Sequence, residues 1–220
     1  MRRYAAILLV ISLIGCSFSG NPVEIRPKAL EIKGEDVTSE QKGKIHFALD
    51  QLPEDFKNSL KIIDIIKDRE HFEYLYKGTK RYAIGHANSD YPDKVCLRYD
   101  SVDSPLVWHE IAHAYAYASY SFERKWERLA GDVYDENWED YSWEMPSDGL
   151  LTSYCRKDHM EDIAEWVESC YIYLYQDKNY WIFQNKNLKK DKRYFKKLAL
   201  LEQHGFISYP DYKKLKPLFE

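Results

Sequence analysis

The sequence predicts an α+β domain in which a small mixed sheet is followed by a helical part. Short stretches of strand character lie in the first half of the chain, whereas apolar residues recur at helical spacing from Pro105 onward. With 220 residues, 15% of them aromatic, the chain is long enough for one domain with a hydrophobic core. The aromatic content also argues against disorder.

Four helices are predicted from caps, prolines and apolar spacing. The first follows the cap candidates Thr38 and Ser39 and ends before Pro53. Its apolar residues at helical spacing are Ile45, Leu49 and Leu52. A second begins at the cap candidate Ser104, which places Pro105 at the first helical position. Two further helices are predicted over 161–175 and 194–204.

Strands are predicted between the first two helices. Residues 60–66 are rich in β-branched side chains, and residues 94–99 alternate between polar and apolar. Residues 81–85 predict a third strand. We interpret 94–99 as an edge strand that could pair with an extended peptide through backbone hydrogen bonds.

The chain begins with a charged and then apolar segment. Arg2 and Arg3 precede the apolar residues 5–14, and Gly15 stands directly before Cys16. The apolar part is well below the roughly 20 residues that a membrane-spanning helix needs, so it is typical of a cleaved signal. The segment resembles bacterial lipoprotein signal peptides, which implies cleavage before Cys16 and attachment of lipid to its thiol.

This interpretation divides the chain into three parts. Residues 1–15 are the signal peptide, residues 16–37 a tether, and residues 38–220 the folded domain. The tether prediction rests on small residues and prolines with no sustained apolar period. The mature protein is therefore expected at the bacterial cell envelope, held to a membrane surface through Cys16 and facing outside the cytoplasm.

The charge balance argues against nucleic acid as a partner. Without Arg2 and Arg3, 30 of the 32 basic side chains remain beside 36 acidic ones. The sequence also has no basic block suited to a phosphate backbone. We therefore expect no nucleic-acid partner.

The predicted helix after Ser104 carries a metal-binding pattern, His109-Glu110-Ile111-Ala112-His113. Two histidines four residues apart project from one helix face on consecutive turns, so both imidazoles can bind one zinc ion. Glu110 is placed to take a proton from a water whose pKa the zinc has lowered. The alternative is that both histidines are ordinary half-buried residues of an amphipathic helix.

A catalytic zinc needs a third protein ligand, and the helix predicted over 161–175 offers two candidates. Glu161 and Glu165 are one helical turn apart and can face the same side. Each also has a structural explanation. Asp158 and Glu161 match a capping box, and Glu165 would suit a solvated acidic face. The pairing of this helix with the histidine motif favours the metal.

Together these motifs resemble the zinc peptidases similar to the catalytic domain of anthrax lethal factor, which include the secreted Pro-Pro endopeptidases. The resemblance lies in the order of the histidine motif, Ser153-Tyr154 and the run 161–165, and it spans about residues 38–175. It implies a zincin-like fold with one zinc ion per chain. By position it implies Glu161 as third zinc ligand, Tyr154 as a catalytic hydroxyl, and Glu165 as a partner for a ligand histidine.

Two positions depart from that family's pattern. Cys155 stands where glycine is frequent, and Ile163 where a bulky aromatic residue is common. Neither change removes a catalytic group. We interpret Cys155 as structural, with a disulfide to Cys170 as one option.

The sequence thus predicts a membrane-anchored, extracytoplasmic zinc metallopeptidase acting on a peptide or protein substrate. Glu110 and Tyr154 are the expected catalytic residues. One alternative is a catalytically inactive peptide-binding or assembly lipoprotein that retains the fold. Another is a metal-dependent hydrolase of non-peptide amides.

Overall fold

A computed structural model describes residues 30–76, 78–135, 146 and 148–220. The strands are β1 Glu31–Lys33, β2 Ile62–Ile66, β3 Glu73–Tyr76, β4 Thr79–Tyr82, β5 Gly85–Asn88 and β6 Tyr91–Arg98. The helices are α1 Ser39–Asp50, α2 Glu54–Asn58, α3 Ser104–Tyr117, α4 Tyr120–Ala130, α5 His159–Tyr175, α6 Lys192–Gln203 and α7 Tyr209–Leu215. This order confirms an α+β fold with a small sheet ahead of a helical part.

Four strands form one mixed sheet in the order β1-β2-β6-β5. The strands β1, β2 and β6 are parallel, and β5 pairs with β6 in the antiparallel sense. A separate antiparallel hairpin is formed by β3 and β4. Because β6 lies between β2 and β5, the prediction that 94–99 is an edge strand is wrong. The edge on that side is β5.

The alternating patterns of β2 and β6 place one face of the sheet in the core. Ile63 pairs with Val95 and Ile65 with Leu97, and all four side chains are buried. Successive side chains of a strand point to opposite faces, so this register buries one whole face. The helix α3 packs on β5 and β6 and contacts α5, which places its motif between sheet and helices.

Two of the differences from the sequence predictions concern β1 and the strand predicted over 81–85. The strand β1 lies within 16–37, so the last part of the predicted tether belongs to the sheet. Its three residues carry one apolar side chain, Ile32, which is too little for a periodic signal. The predicted strand over 81–85 also spans the junction between β4 and β5, because Ala83 and Ile84 separate them.

The helix starts follow local hydrogen-bonding rules. Thr38 caps α1 and forms a reciprocal capping box with Gln41. Asp103, one residue earlier than predicted, caps α3 by accepting from the Leu106 N–H. Ser104 is then inside the helix, and its hydroxyl donates to the Lys44 carbonyl at 3.1 Å.

The helix α4 was not predicted, although its buried residues follow helical spacing: Phe122, Trp126 and Ala130. Trp138 and Trp143, which follow α4 in the sequence, lie outside the described residues. So do residues 1–29, including Cys16. Within the described ranges, no helix is both long and apolar enough to cross a membrane.

Candidate metal centre

Three side chains from α3 and α5 converge on one point. His109 Nε2 lies 3.2 Å from both His113 Nε2 and Glu161 Oε2. His113 Nε2 lies 3.3 Å from the same carboxylate oxygen. The structure therefore brings together the two histidines of the motif and the carboxylate expected as third ligand, across 52 residues of chain between His109 and Glu161.

These separations fit a zinc ion. Ligand atoms about 2.0–2.1 Å from a tetrahedral zinc lie about 3.3–3.4 Å from one another. When both rings are neutral and carry their proton on Nδ1, the two Nε2 atoms, 3.2 Å apart, offer two lone pairs that a shared cation would satisfy. The N-terminus of α5 is capped by Asp158, whose Oδ1 accepts from the N–H groups of Met160 and Glu161. The Glu161 carboxylate is directed to the two histidines instead, so the capping role considered for it does not explain its position.

The group is almost withdrawn from solvent. His109, Glu110, His113 and Glu161 are each 5–9% exposed. Burial alone would raise the pKa of Glu161, but contacts with both imidazoles hold it well below its usual range. Lys157 donates a hydrogen bond to the other oxygen of Glu161. The carboxylate is thus ionised and ready to act as a ligand.

His109 is oriented by a residue that sequence reasoning missed. Its Nδ1 donates to Glu168 Oε2 at 2.9 Å, which leaves the Nε2 lone pair for a metal. Glu165, expected in this role, has its nearest oxygen 3.9 Å from that nitrogen and accepts from the Thr152 hydroxyl at 2.9 Å. The Nδ1 atom of His113 has no hydrogen-bond partner among the described residues.

Glu110 lies beside the three candidate ligands but is not one of them. Burial raises the pKa of Glu110, which moves it towards the range useful for proton transfer near neutrality. Its Oε2 is buried and, within the described residues, has no hydrogen-bond partner. A buried carboxylate oxygen in this condition requires a donor such as water or substrate.

Tyr154 reaches the same centre from the 3-10 turn Tyr154–Arg156, ahead of α5. Its ring centroid lies 6.4 Å from that of His109. Burial, reinforced by the Glu161 carboxylate, raises the pKa of Tyr154 far above its usual range. The hydroxyl therefore stays protonated and can donate.

The neighbouring cysteines take no part in this centre. Cys155 and Cys170 are fully buried free thiols, so no disulfide joins them. Burial raises the pKa of both thiols, which keeps them protonated and unreactive.

A cleft of about 770 Å³ opens onto the candidate ligands. One wall is formed by β5 and the turn before β3, and the other by α3 and the start of α5. Its lining includes Gly85, His86, Glu110, Tyr117, Tyr154 and Lys157. A cavity of this size accommodates several residues of an extended peptide.

No protein-family model and no curated protein matches this sequence. The fold is similar to the crystal structure of a candidate zinc-binding metallo-peptidase from Bacteroides caccae. The TM-score is 0.51 and the sequences are 16% identical, over 88% of this chain and 85% of the other. At this level of identity the likeness concerns the fold.

Proposed function

We propose that this protein is a zinc-dependent metalloendopeptidase of the zincin-like type, with His109, His113 and Glu161 holding one zinc ion. The observation that carries the proposal is the convergence of these three ligand atoms beside the buried carboxylate of Glu110. A binding protein has no need of a buried carboxylate with one oxygen that lacks a partner among the described residues. Hydrolysis does, because water must lose a proton as it attacks.

The reaction follows from what each side chain can do. Zinc bound here would lower the pKa of a water and polarise the substrate carbonyl. Glu110 accepts the proton of the attacking water and later transfers it to the leaving amine. Tyr154 donates a hydrogen bond to the oxygen on which negative charge develops. Water is the nucleophile, so no covalent intermediate with the protein forms.

The cleft favours an extended peptide as substrate. In the described part of the chain β5 pairs with β6 alone, so its outer edge presents backbone groups to the cleft. A peptide lying along β5 would gain main-chain hydrogen bonds and would bring a peptide bond towards Glu110. Small non-peptide amides lack the extended main chain that could pair with β5, so this edge favours peptides over them.

We further propose that the enzyme is a lipoprotein of the bacterial cell envelope, held to a membrane surface through Cys16. The support is the order of Arg2 and Arg3, a short apolar run and Gly15-Cys16 at the start of the sequence. The active domain would then work outside the cytoplasm on peptide or protein substrates near that surface.

The decisive experiment measures bound zinc and cleavage of a mixed peptide library for the purified protein and two variants. Glu110→Gln should retain zinc and lose about 10²–10⁴-fold in kcat, because the general base is gone. Glu161→Ala should lose the zinc ion held with His109 and His113, as well as activity. Glu40→Gln, at an exposed position of α1, serves as the control and should change neither property.

Two results would contradict the proposal. Full zinc affinity in Glu161→Ala would exclude Glu161 as a ligand. Zinc and peptide binding without cleavage by the unmodified protein would instead indicate the non-catalytic binding lipoprotein.

A further inference from the structure

A second group of metal-ligand side chains lies on the strand side of the cleft. His71 is in the 3-10 turn Arg69–Phe72, His86 is in β5, and Cys96 is in β6. One ligand atom of each lies within 4.8 Å of the other two. No residue of this group belongs to the centre formed by His109, His113 and Glu161.

The sheet register explains the juxtaposition. His86 and Cys96 are directly opposite each other on adjacent antiparallel strands, so both side chains project from one face at neighbouring positions. This is the face away from Val95 and Leu97, whose side chains are buried in the core. His71 completes the group by stacking on His86, with ring centroids 5.1 Å apart and planes inclined by 27°.

We propose that His71, His86 and Cys96 form a second transition-metal site, which takes Zn²⁺ or an ion of similar softness. One thiolate and two imidazoles are ligands that zinc favours, whereas Mg²⁺ and Ca²⁺ require oxygen. Three protein ligands would leave a fourth position for water. We assign no hydrolytic step to this site, because the proposed general base, Glu110, belongs to the other centre.

Metal binding requires at most a small closure of the group. Around one zinc ion, nitrogen and sulfur ligands lie about 3.3–3.6 Å apart. The three ligand atoms already lie within 4.8 Å of one another, so none has to move far. His71 is exposed on a short turn and can move without disturbing the core. Cys96 is 4% exposed and fixed in the sheet, so it anchors the site. As the ion binds, the thiol proton leaves to solvent and the sulfur electron pair forms the new bond.

The acidic side chain opposite Cys96 is already paired, which limits its competition for the ion. Asp64 is opposite Cys96 on β2, and its carboxylate forms an ion pair with Lys94 at 2.8 Å. Burial lowers the pKa of His86, so its imidazole is neutral near pH 7 and offers a lone pair. A bound ion would tie the turn at His71 to β5 and β6 and so hold that wall of the cleft.

Titration of the metal-free protein with Co²⁺ tests this site, because a thiolate ligand gives a near-ultraviolet sulfur-to-cobalt charge-transfer band. The centre with two histidines and Glu161 has no sulfur and cannot produce it. We expect two Co²⁺ ions per chain and one such band. Cys96→Ser should abolish the band and leave one ion. Cys170→Ser, at a buried thiol that belongs to neither group, should retain the band and both ions.

His71→Ala provides a test that does not alter the sheet, and His46→Ala, at an exposed imidazole of α1, is its control. We expect His71→Ala to weaken the band-forming site by at least about tenfold, and His46→Ala to leave it unchanged. Absence of the band in the unmodified protein, or its persistence in Cys96→Ser, would overturn the proposal. A protein that shows the band but cleaves no peptide keeps this site and loses only the proposed peptidase function.

Discussion

Gly85 is the residue at which the strand wall of the cleft meets the proposed general base. A Cβ atom added there would lie 2.7 Å from both Cγ and Oε1 of Glu110, closer than any normal contact. The backbone of β5 therefore approaches α3 more closely than any other residue type allows. This close approach holds the carboxylate in place from the side opposite its own helix.

We predict that Gly85→Ala displaces Glu110 and lowers kcat by about 100-fold, because a shift of about 1 Å is enough to misplace a catalytic group. Zinc content should be unchanged, since none of the three ligands is touched. The control is Gly43→Ala in α1, where an added Cβ has no neighbour within 4 Å. That change should retain activity and raise stability by up to about 1 kcal/mol. Unaltered kcat in Gly85→Ala would show that the contact does not position Glu110.

Glu168 is the second residue with a testable role, because its carboxylate accepts from His109 Nδ1. Loss of such a partner weakens metal binding by about 10–100-fold, so we predict this effect for Glu168→Gln. Glu165→Gln should have a smaller effect, since Glu165 is farther from the imidazole. Competition with a zinc chelator measures both affinities. A larger loss in Glu165→Gln would reverse the assignment.

The sequence contained a signal for Glu168 that spacing reveals. Residues 161, 165 and 168 follow the i, i+4, i+7 repeat, so all three lie on one face of α5. The family resemblance predicted Glu165, rather than Glu168, as the partner of the histidine. Which carboxylate reaches His109 depends on the crossing of α3 and α5, and residue spacing does not specify a crossing.

Among the elements, α5 and α6 are joined by a buried ion pair. Lys197 and Asp162 are both 0% exposed, with Nζ and Oδ2 2.5 Å apart. The same oxygen accepts from Trp126 Nε1 and the Tyr134 hydroxyl, each at 2.8 Å. Asp162 follows Glu161 directly, so this network fixes the first turn of α5, on which the proposed third ligand lies.

We predict that Lys197→Met destabilises the protein by about 3–5 kcal/mol, because it leaves the Asp162 carboxylate buried without its counter-charge. Adding Asp162→Asn should recover part of the loss. Lys196→Met, at the exposed neighbouring position, should have little effect. Chemical unfolding of the four proteins measures these differences. Equal stability of Lys197→Met and the unmodified protein would contradict a structural role for the pair.

The elements predicted well from sequence are those with a cap and a long apolar period. Thr38 marks the start of α1, and α5 combines the cap Asp158 with a continuous buried face. The missed elements lack one of these signals. The strand β1 is too short to show a periodic pattern. In α4 the three buried residues are separated mainly by charged and polar ones, so the apolar period is short. The position of β5 at the sheet edge depends on long-range pairing, which local patterns do not encode.

At the scale of the whole molecule, the candidate zinc ion would link α3 to α5. Two ligands belong to α3 and one to α5, so binding would strengthen a contact that also unites the helical part with the sheet. We predict that a chelator lowers the free energy of unfolding, by about 4 kcal/mol when zinc had been present at 1,000 times its Kd. Calorimetry with and without chelator measures this.

Glu161→Ala supplies the control for the chelator experiment. Its unfolding should respond less to chelator, because one of the three ligands of the centre formed by α3 and α5 is missing. A chelator effect as large in this variant as in the unmodified protein would show that the stabilising ion is bound elsewhere. The group of His71, His86 and Cys96 is then the candidate site.

The separation of 52 residues between His109 and Glu161 has a consequence for biosynthesis. A growing chain exposes both histidines well before α5 exists, and two imidazoles on one short helix bind an ion only weakly. The complete ligand set arises when α5 docks on α3, which is a long-range step and therefore late in folding. Under the proposed function, an incomplete or unfolded chain would have no peptidase activity, which would protect the cell that makes the protein until folding is complete.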